Sequence, residues 1–420
     1  MRNLSILSAL SVLSVLTTPL VAQSPDPALE HARKLLASTP LIDGHNDLPW
    51  EIRTNREHPH DVAAYDLRKT TAGHTDLARL AEGHIGGQFW SVYIPGDLDG
   101  GRFAMAQLEQ IDIARRMIAM YPDKLAPAYT ADDIEREFKN GKIASLMGME
   151  GGHAIENSLG ALRAYYALGV RYMTLTHNVT LDWADAALDS AKHGGLTPFG
   201  KEVVREMNRL GMLVDLAHVS AGTMSDALDA TRAPVIFSHS GARAIVDHPR
   251  NVPDSILARL KQNGGVVMVP VVPEFVSRAV KAWQDQADAA LSEMRTAPDS
   301  VRRQARRAWM AAHPRPHATV KDVADVIEHV RDVAGVDHVG IGADYDGITS
   351  TPDGLPDVSS YPVIFAELIH RGWSDADLAK LAGKNVLRVF HQAEAVARQL
   401  QQTAKPSTAT IQELDGTGVS

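Results

Sequence analysis

Cysteine is absent from all 420 positions of the chain. That absence excludes disulfides, thiolate metal ligands, cysteine nucleophiles and a cysteine-borne lipid. Any metal must rest on histidine and carboxylate. An excess of basic charge is missing too: the net charge is −9, and nothing supports a general affinity for nucleic acid. The basic residues are scattered except for Arg302, Arg303, Arg306 and Arg307, which read as one solvated helix face. From about Gln401 the chain is polar and lacks a hydrophobic anchor signal, so a disordered tail over 401–420 is expected. A long apolar run does occur at the N-terminus. Arg2, the stretch Leu4 to Leu20 and Ala22 as a cleavage position read as a secretory signal over 1–22. Thr17, Thr18 and Pro19 weaken the alternative, a spanning helix. The expectation is an exported chain, periplasmic or secreted, with no stable membrane anchor.

Apolar residues make up 45% of the chain, ample for a large core. Eight short apolar runs, many rich in β-branched residues, stand out, at 41–43, 87–94, 142–149, 170–176, 212–217, 235–238, 265–271 and 338–343. Near-continuous runs of this kind suit a parallel sheet covered by helices. Helical spacing separates several of them: Ala104 to Met120, Gly200 to Leu210 stopped by Gly211, and a helix after Ser220 that ends near Ala230. Asp254 is expected as an N-cap for Ser255 to Gln262, Ser374 opens a helix over 375–381, and another begins near Lys384 and runs through Ala397. Eight strands alternating with helices predict an α/β fold, a closed (β/α)8 TIM barrel over 23–400. Residues 274–316 depart from the alternation, with helical spacing at Trp283, Ala287, Leu291 and Met294. They read as a helical insertion, either a wall of the active face or a surface hairpin.

Catalytic residues of such barrels stand at the C-terminal strand ends. Read in order, those ends carry His45 and Asp47, then Glu150 followed by Gly151, Gly152 and His153, then His177, His218, His239, and finally Asp344 and Asp346 around Tyr345. His45 and Asp47 lie two residues apart on an extended segment and point the same way. A lone histidine after a strand is more often a satisfied core residue than a ligand; the recurrence around one rim is what suggests a metal centre. A His/Asp/Glu set without thiolates suits zinc, less often manganese or iron. Glu150, between two ligand pairs, could bridge two metals about 4 Å apart.

These residues carry a family resemblance. Ile42–Asp47, Gly148–His153, Arg171–His177, Asp215–Ser220, Phe237–Ser240, Arg250–Asp254 and Gly340–Gly347 resemble, in order, the motifs of the membrane (renal) dipeptidases within the amidohydrolase superfamily. The resemblance spans about 37–396 and implies two zinc ions per subunit. It implies that His45 and Asp47 bind one, His218 and His239 the other, and that Glu150 bridges them. It implies that His177 hydrogen-bonds the scissile carbonyl, that Arg250 holds the substrate's terminal carboxylate, and that Asp344 passes a proton from a bridging hydroxide's parent water to the leaving amine. The implied reaction is hydrolysis of dipeptides, with a D-residue tolerated at the second position.

The residues alone leave alternatives open. Asp346 competes with Asp344 as acid/base. Arg250 has a bland reading as a surface ion pair with Asp254, and His177 one as an orienting residue. His153 reads as structural, and Asn46 and Trp50 as pocket lining. Phe275 falls where the family often has tyrosine, and Asp182-Trp183 and the insertion are placed to reshape the pocket. A related two-metal amidohydrolase acting on N-acyl amino acids or β-lactams is the nearest alternative function. A non-catalytic binding protein would be expected to lack ligands, and all five are present. A homodimer, if formed, has no disulfide.

Overall fold

The computed structural model describes residues 26–294 and 296–416. The expected signal segment, 1–22, lies outside the described residues. Nine strands form one sheet in which every pairing is parallel: β1 Leu41–Asn46, β2 Ile85–Ser91, β3 Leu125–Pro127, β4 Ile143–Glu150, β5 Val170–Thr174, β6 Leu213–Asp215, β7 Ile236–Phe237, β8 Val266–Val269 and β9 Val339–Ile341. The order is β2-β1-β9-β8-β7-β6-β5-β4-β3, and β2 also pairs with β4, from Gly87 against Ala144 to Ser91 against Gly148. That pairing closes the barrel and leaves no edge on its eight strands.

β3 was not anticipated. It lies beside only the first residues of β4, Leu125 against Ile143, while β5 takes the same side further along, Met147 against Val170. Three residues are too short a run to carry a periodic signal.

Glycine makes room for large side chains inside the barrel. A Cβ on Gly148 would overlap the ring of Tyr172, and one on Gly44 would meet Met268 and the carbonyl of Ser238. Tyr172 fills the space in front of Gly148 and so reaches across from β5 to β1.

The helices follow local chemistry. Thr197 caps Pro198–Leu210 by accepting from Gly200 N, and Gly211 ends that helix at φ 85°. Ser220 caps Ala221–Ala230 in the same manner. Asp254 is the first residue of the four-residue helix Asp254–Leu257 rather than its cap; Pro253 precedes it, and a separate turn, Leu260–Asn263, follows. Ser374 does cap its helix, but Asp375–Ala379 runs through a π-helical segment, Lys380–Lys384, straight into Asn385–Thr403. Gly383 in that segment sits against the carbonyl of Pro40 just before β1, where a Cβ would not fit.

Two expectations about the periphery are corrected or refined. The tail is ordered as far as residue 416: Ile411–Asp415 is helical, Ile411 is buried, and Asp415 accepts from Phe199 N at 2.9 Å and Thr197 Oγ1 at 2.6 Å. Ile411 and Asp415, with Ser407 held between Arg163 and Glu206, thus tie down a segment that its polar composition suggested was loose. The region 274–316 forms helices Arg278–Ala290 and Asp299–Ala312; Trp283 and Ala287 are buried, and the second helix, bearing Arg302, Arg303, Arg306 and Arg307, buries nothing. Among the described residues no helix is long and apolar enough to cross a membrane.

Candidate metal centre and substrate pocket

The sequence-predicted ligands meet at the C-terminal mouth of the barrel. Glu150 stands at their centre and divides its two oxygens. Oε2 faces His45 Nε2 at 3.4 Å, and Oε1 faces His218 Nε2 at 2.9 Å and His239 Nε2 at 3.4 Å. Asp47 Oδ2 lies 3.3 Å from His45 Nε2. His45, Asp47, Glu150, His218 and His239 are all buried.

Each imidazole is held from behind. Tyr172 donates its hydroxyl hydrogen to Gly44 O, so its oxygen accepts from His45 Nδ1 at 2.8 Å. Ser238 Oγ donates to Asp215 at 2.6 Å and accepts from His239 Nδ1 at 2.9 Å. Asn178 Oδ1 accepts from His218 Nδ1 at 3.0 Å. The network thus assigns the proton of all three rings to Nδ1 and turns three Nε2 lone pairs inward. Asp215 is itself fixed by Thr174 Oγ1 and by the backbone N–H groups of Ala217 and Ser238.

These donors fit a pair of divalent cations. His218 Nε2 and His239 Nε2 are 2.9 Å apart, a separation at which two lone pairs repel unless a cation is shared. His45 Nε2 and Asp47 Oδ1 are buried with no hydrogen-bond partner. Burial opposes charge on His45, yet Tyr172, Glu150 and Asp47 outweigh it and hold its pKa well above the ordinary value: the carboxylates demand positive charge here. Burial and the neighbouring cationic side chains push His218 and His239 well below theirs, the neutral form a ligand needs.

Asp344 and Asp346, inseparable from sequence, occupy different places. Backbone pairing of β1 with β9 continues past the strands: Asp344 N donates to His45 O at 3.1 Å and Asp47 N to Tyr345 O at 2.9 Å. Asp344 Oδ1 thereby lies 4.0 Å from His45 Nε2. Burial, with Asp47 and Glu150 nearby, holds the Asp344 carboxyl well above the usual range, against the pull of His45. Asp346 turns to the 73–75 loop, accepting from His74 N at 2.6 Å. Asp344, Asp346 and His218 all have positive φ, 70°, 66° and 65°, a costly conformation for such residues that surrounding structure must impose.

A cavity of about 500 Å³ opens over this cluster. His177 lines it, with Nε2 4.0 Å from Glu150 Oε1, and burial lowers its pKa, leaving it neutral and able to donate. Arg250 lines it too. The residue is 1% exposed, and its guanidinium stacks 5.2 Å from the Phe275 ring centroid and leaves Nη1 with no partner. Burial lowers its pKa to about 10, with Asp344 and Glu150 opposing, so it stays charged. The bland reading of Arg250 fails: it is buried, and Asp254 pairs instead with His329. Trp50 lines the cavity as expected. Asn46 does not; it is buried beneath, bonded to Thr75 and to Leu48 N. Trp183 is also buried, packed on Phe199. His153 is structural, its Nε2 on Ile94 O at 3.0 Å. Tyr172, Asn178, Ser238 and Asp215 were missed as orienting residues. Only Ser238, adjacent to a ligand, carried a local signal.

The family model described as membrane dipeptidase, peptidase family M19, matches residues 29–404. The chain belongs to the membrane dipeptidase family. As a member it is a hydrolase of the metallo-dipeptidase class. Among curated proteins it is 40% identical over 391 residues to dipeptidase verJ of Clonostachys rogersoniana, covering 90% of this chain and 91% of the relative. Among solved structures it is similar to the probable dipeptidase PvdM from Pseudomonas aeruginosa (TM-score 0.79, 27% identity, 89% of this chain and 100% of that one). It is also similar to the metallopeptidase dipeptidase AC (TM-score 0.69, 25% identity, 84% and 98%).

Proposed function

We propose that this membrane dipeptidase family member is a zinc enzyme, with two ions per subunit, that cleaves the one peptide bond of L-L dipeptides and of dipeptides ending in a D-residue. His45 and Asp47 would hold one ion, His218 and His239 the other, with Glu150 shared between them. A bound zinc pair would supply Lewis acidity toward the scissile carbonyl and would activate water at neutral pH. Arg250 pairs with the substrate's C-terminal carboxylate through its planar fork. An N–H of neutral His177 donates to the carbonyl oxygen as negative charge grows there. Asp344, its basicity raised by burial, takes the proton of the attacking water and delivers it to the leaving nitrogen, without which an amide does not depart.

The observation that carries this reading is Arg250: a buried, charged guanidinium facing the same cavity as the ligand cluster, with Nη1 unpartnered and Nη2 donating only to the carbonyl of His239. Burying such a charge is costly unless an anion completes it. The proposal includes export, resting on the apolar N-terminal run. The test is metal per subunit after chelator-free purification, with turnover of L-L and L-D dipeptides, a tripeptide and an N-acyl amino acid. Two zinc ions and turnover confined to dipeptides are expected; turnover of the acyl compound alone would overturn the substrate assignment.

A further inference from the structure

One corner of the cavity carries negative charge that the reaction above leaves unused. Glu51 and Asp346 both line it, beside Trp50, Thr54 and Ile348. Glu51 is half-buried, and neither a hydrogen bond nor a cation acts on its carboxylate; partial burial and the charge of Asp346 hold its pKa above the ordinary value. The Asp346 side chain is 1% exposed, and its Oδ2 has no hydrogen-bond partner. Its Oδ1 faces His74 Nδ1 at 3.6 Å, but that nitrogen accepts from Asp346 N and so carries no proton. Arg53, on the same helix as Glu51, is turned away to Glu109 at 2.7 Å. Glu51 is therefore uncompensated, and Asp346, held by His74 N through Oδ1, keeps its Oδ2 free.

Their place relative to Arg250 is set by the barrel. Glu51 follows β1 and Asp346 follows β9, neighbours in the sheet, whereas Arg250 and Phe275 follow β7 and β8. A dipeptide with its carboxylate on Arg250 and its scissile carbonyl over Glu150 extends its amino-terminal residue toward β1 and β9. The α-ammonium stays close to the scissile carbon, over Asp47 and Asp344. Glu51 stands four residues beyond Asp47, one helical turn or about 6 Å along the axis, which a long side chain spans and an α-ammonium does not.

We propose that Glu51, backed by Asp346, binds a cationic side chain on the amino-terminal residue, making this chain selective for dipeptides that begin with lysine, ornithine or arginine. This rests on the dipeptidase reading and names the substrate class of the same site. The test compares kcat/KM for Lys-Ala, its uncharged isostere norleucyl-Ala, Glu-Ala and Ala-Ala. Lys-Ala is expected to exceed norleucyl-Ala about tenfold, the worth of a charge-assisted contact at a half-buried site, and Glu-Ala to be the poorest. Glu51→Gln should bring the Lys-to-norleucyl ratio close to one, and Glu51→Lys should favour Glu-Ala over Lys-Ala. A ratio at or below one in the native enzyme, or a ratio unmoved in Glu51→Gln, overturns the inference while Ala-Ala turnover leaves the dipeptidase reading standing. No turnover of any of the four overturns both.

Discussion

Single side chains determine how the centre is held. Tyr172 belongs to the barrel interior by packing and to the metal site by its hydroxyl, which fixes the His45 proton on Nδ1. Tyr172→Phe keeps the ring and removes the fixing contact. Metal affinity should fall 10- to 100-fold, read by competition with a chromophoric chelator, while the far-ultraviolet spectrum stays native. Arg250→Ala should raise KM for dipeptides by about a hundredfold or more, because a buried carboxylate loses its partner. A dipeptide amide, lacking the carboxylate, should be hydrolysed almost equally by both forms. Equal dipeptide KM values would show that Arg250 does not read that end of the substrate. These roles were unevenly legible. The proposed ligands announced themselves by position, each just past an apolar run. Tyr172 and Asn178 did not, because their partners lie 127 and 40 residues away and no spacing encodes such a meeting. Asp344 and Asp346 were separated only by the β1–β9 backbone register.

Elements were readable where they were long and repetitive. The eight barrel strands and the helices at 104–120, 200–210 and 221–230 follow from hydrophobic period and caps. The misses include short elements, namely β3 with three residues, the π segment that fuses two expected helices, and the terminal helix Ile411–Asp415, but longer helices such as Val320–Ala334 and Tyr361–His370 were not anticipated either. The terminal helix docks through Asp415, which satisfies a free N–H at the start of Pro198–Leu210. Asp415→Ala should cost about 1 kcal/mol, as for the loss of a helix cap. Urea denaturation would measure this, and dipeptide turnover should be unchanged, since that helix start lies away from the cavity. An unaltered midpoint would mean that water replaces the carboxylate without loss.

At the scale of the whole molecule, one buried and one half-buried imidazole link stability to pH. Burial lowers the pKa of His153 to about 4, against the pull of Ile94 O, and that of His248 to about 4, with Arg250 adding to the effect. Unfolded, both titrate near 6.5. Between those values the unfolded chain binds more protons than the folded one. Stability is therefore complete above about pH 6.5 and falls as pH drops toward 4, by on the order of 1 kcal/mol per pH unit for a fully shifted group. Melting of the chelator-treated protein from pH 7 to 4 should show this decline, and His248→Asn should flatten it. A melting temperature independent of pH in both proteins would mean these rings are not held neutral.

The closure of β1 against β9 also has a consequence in time. His45 and Asp47 are made early, yet the wall that steadies them, Asp344 and Tyr345, is made some 300 residues later. The other ligands arrive in between, each from a different strand end. A fragment that stops before His239 lacks part of the proposed ligand set, and one that stops before Tyr345 lacks the backbone partners that steady His45 and Asp47. The mouth of the barrel is therefore complete only when its last strand has closed against its first.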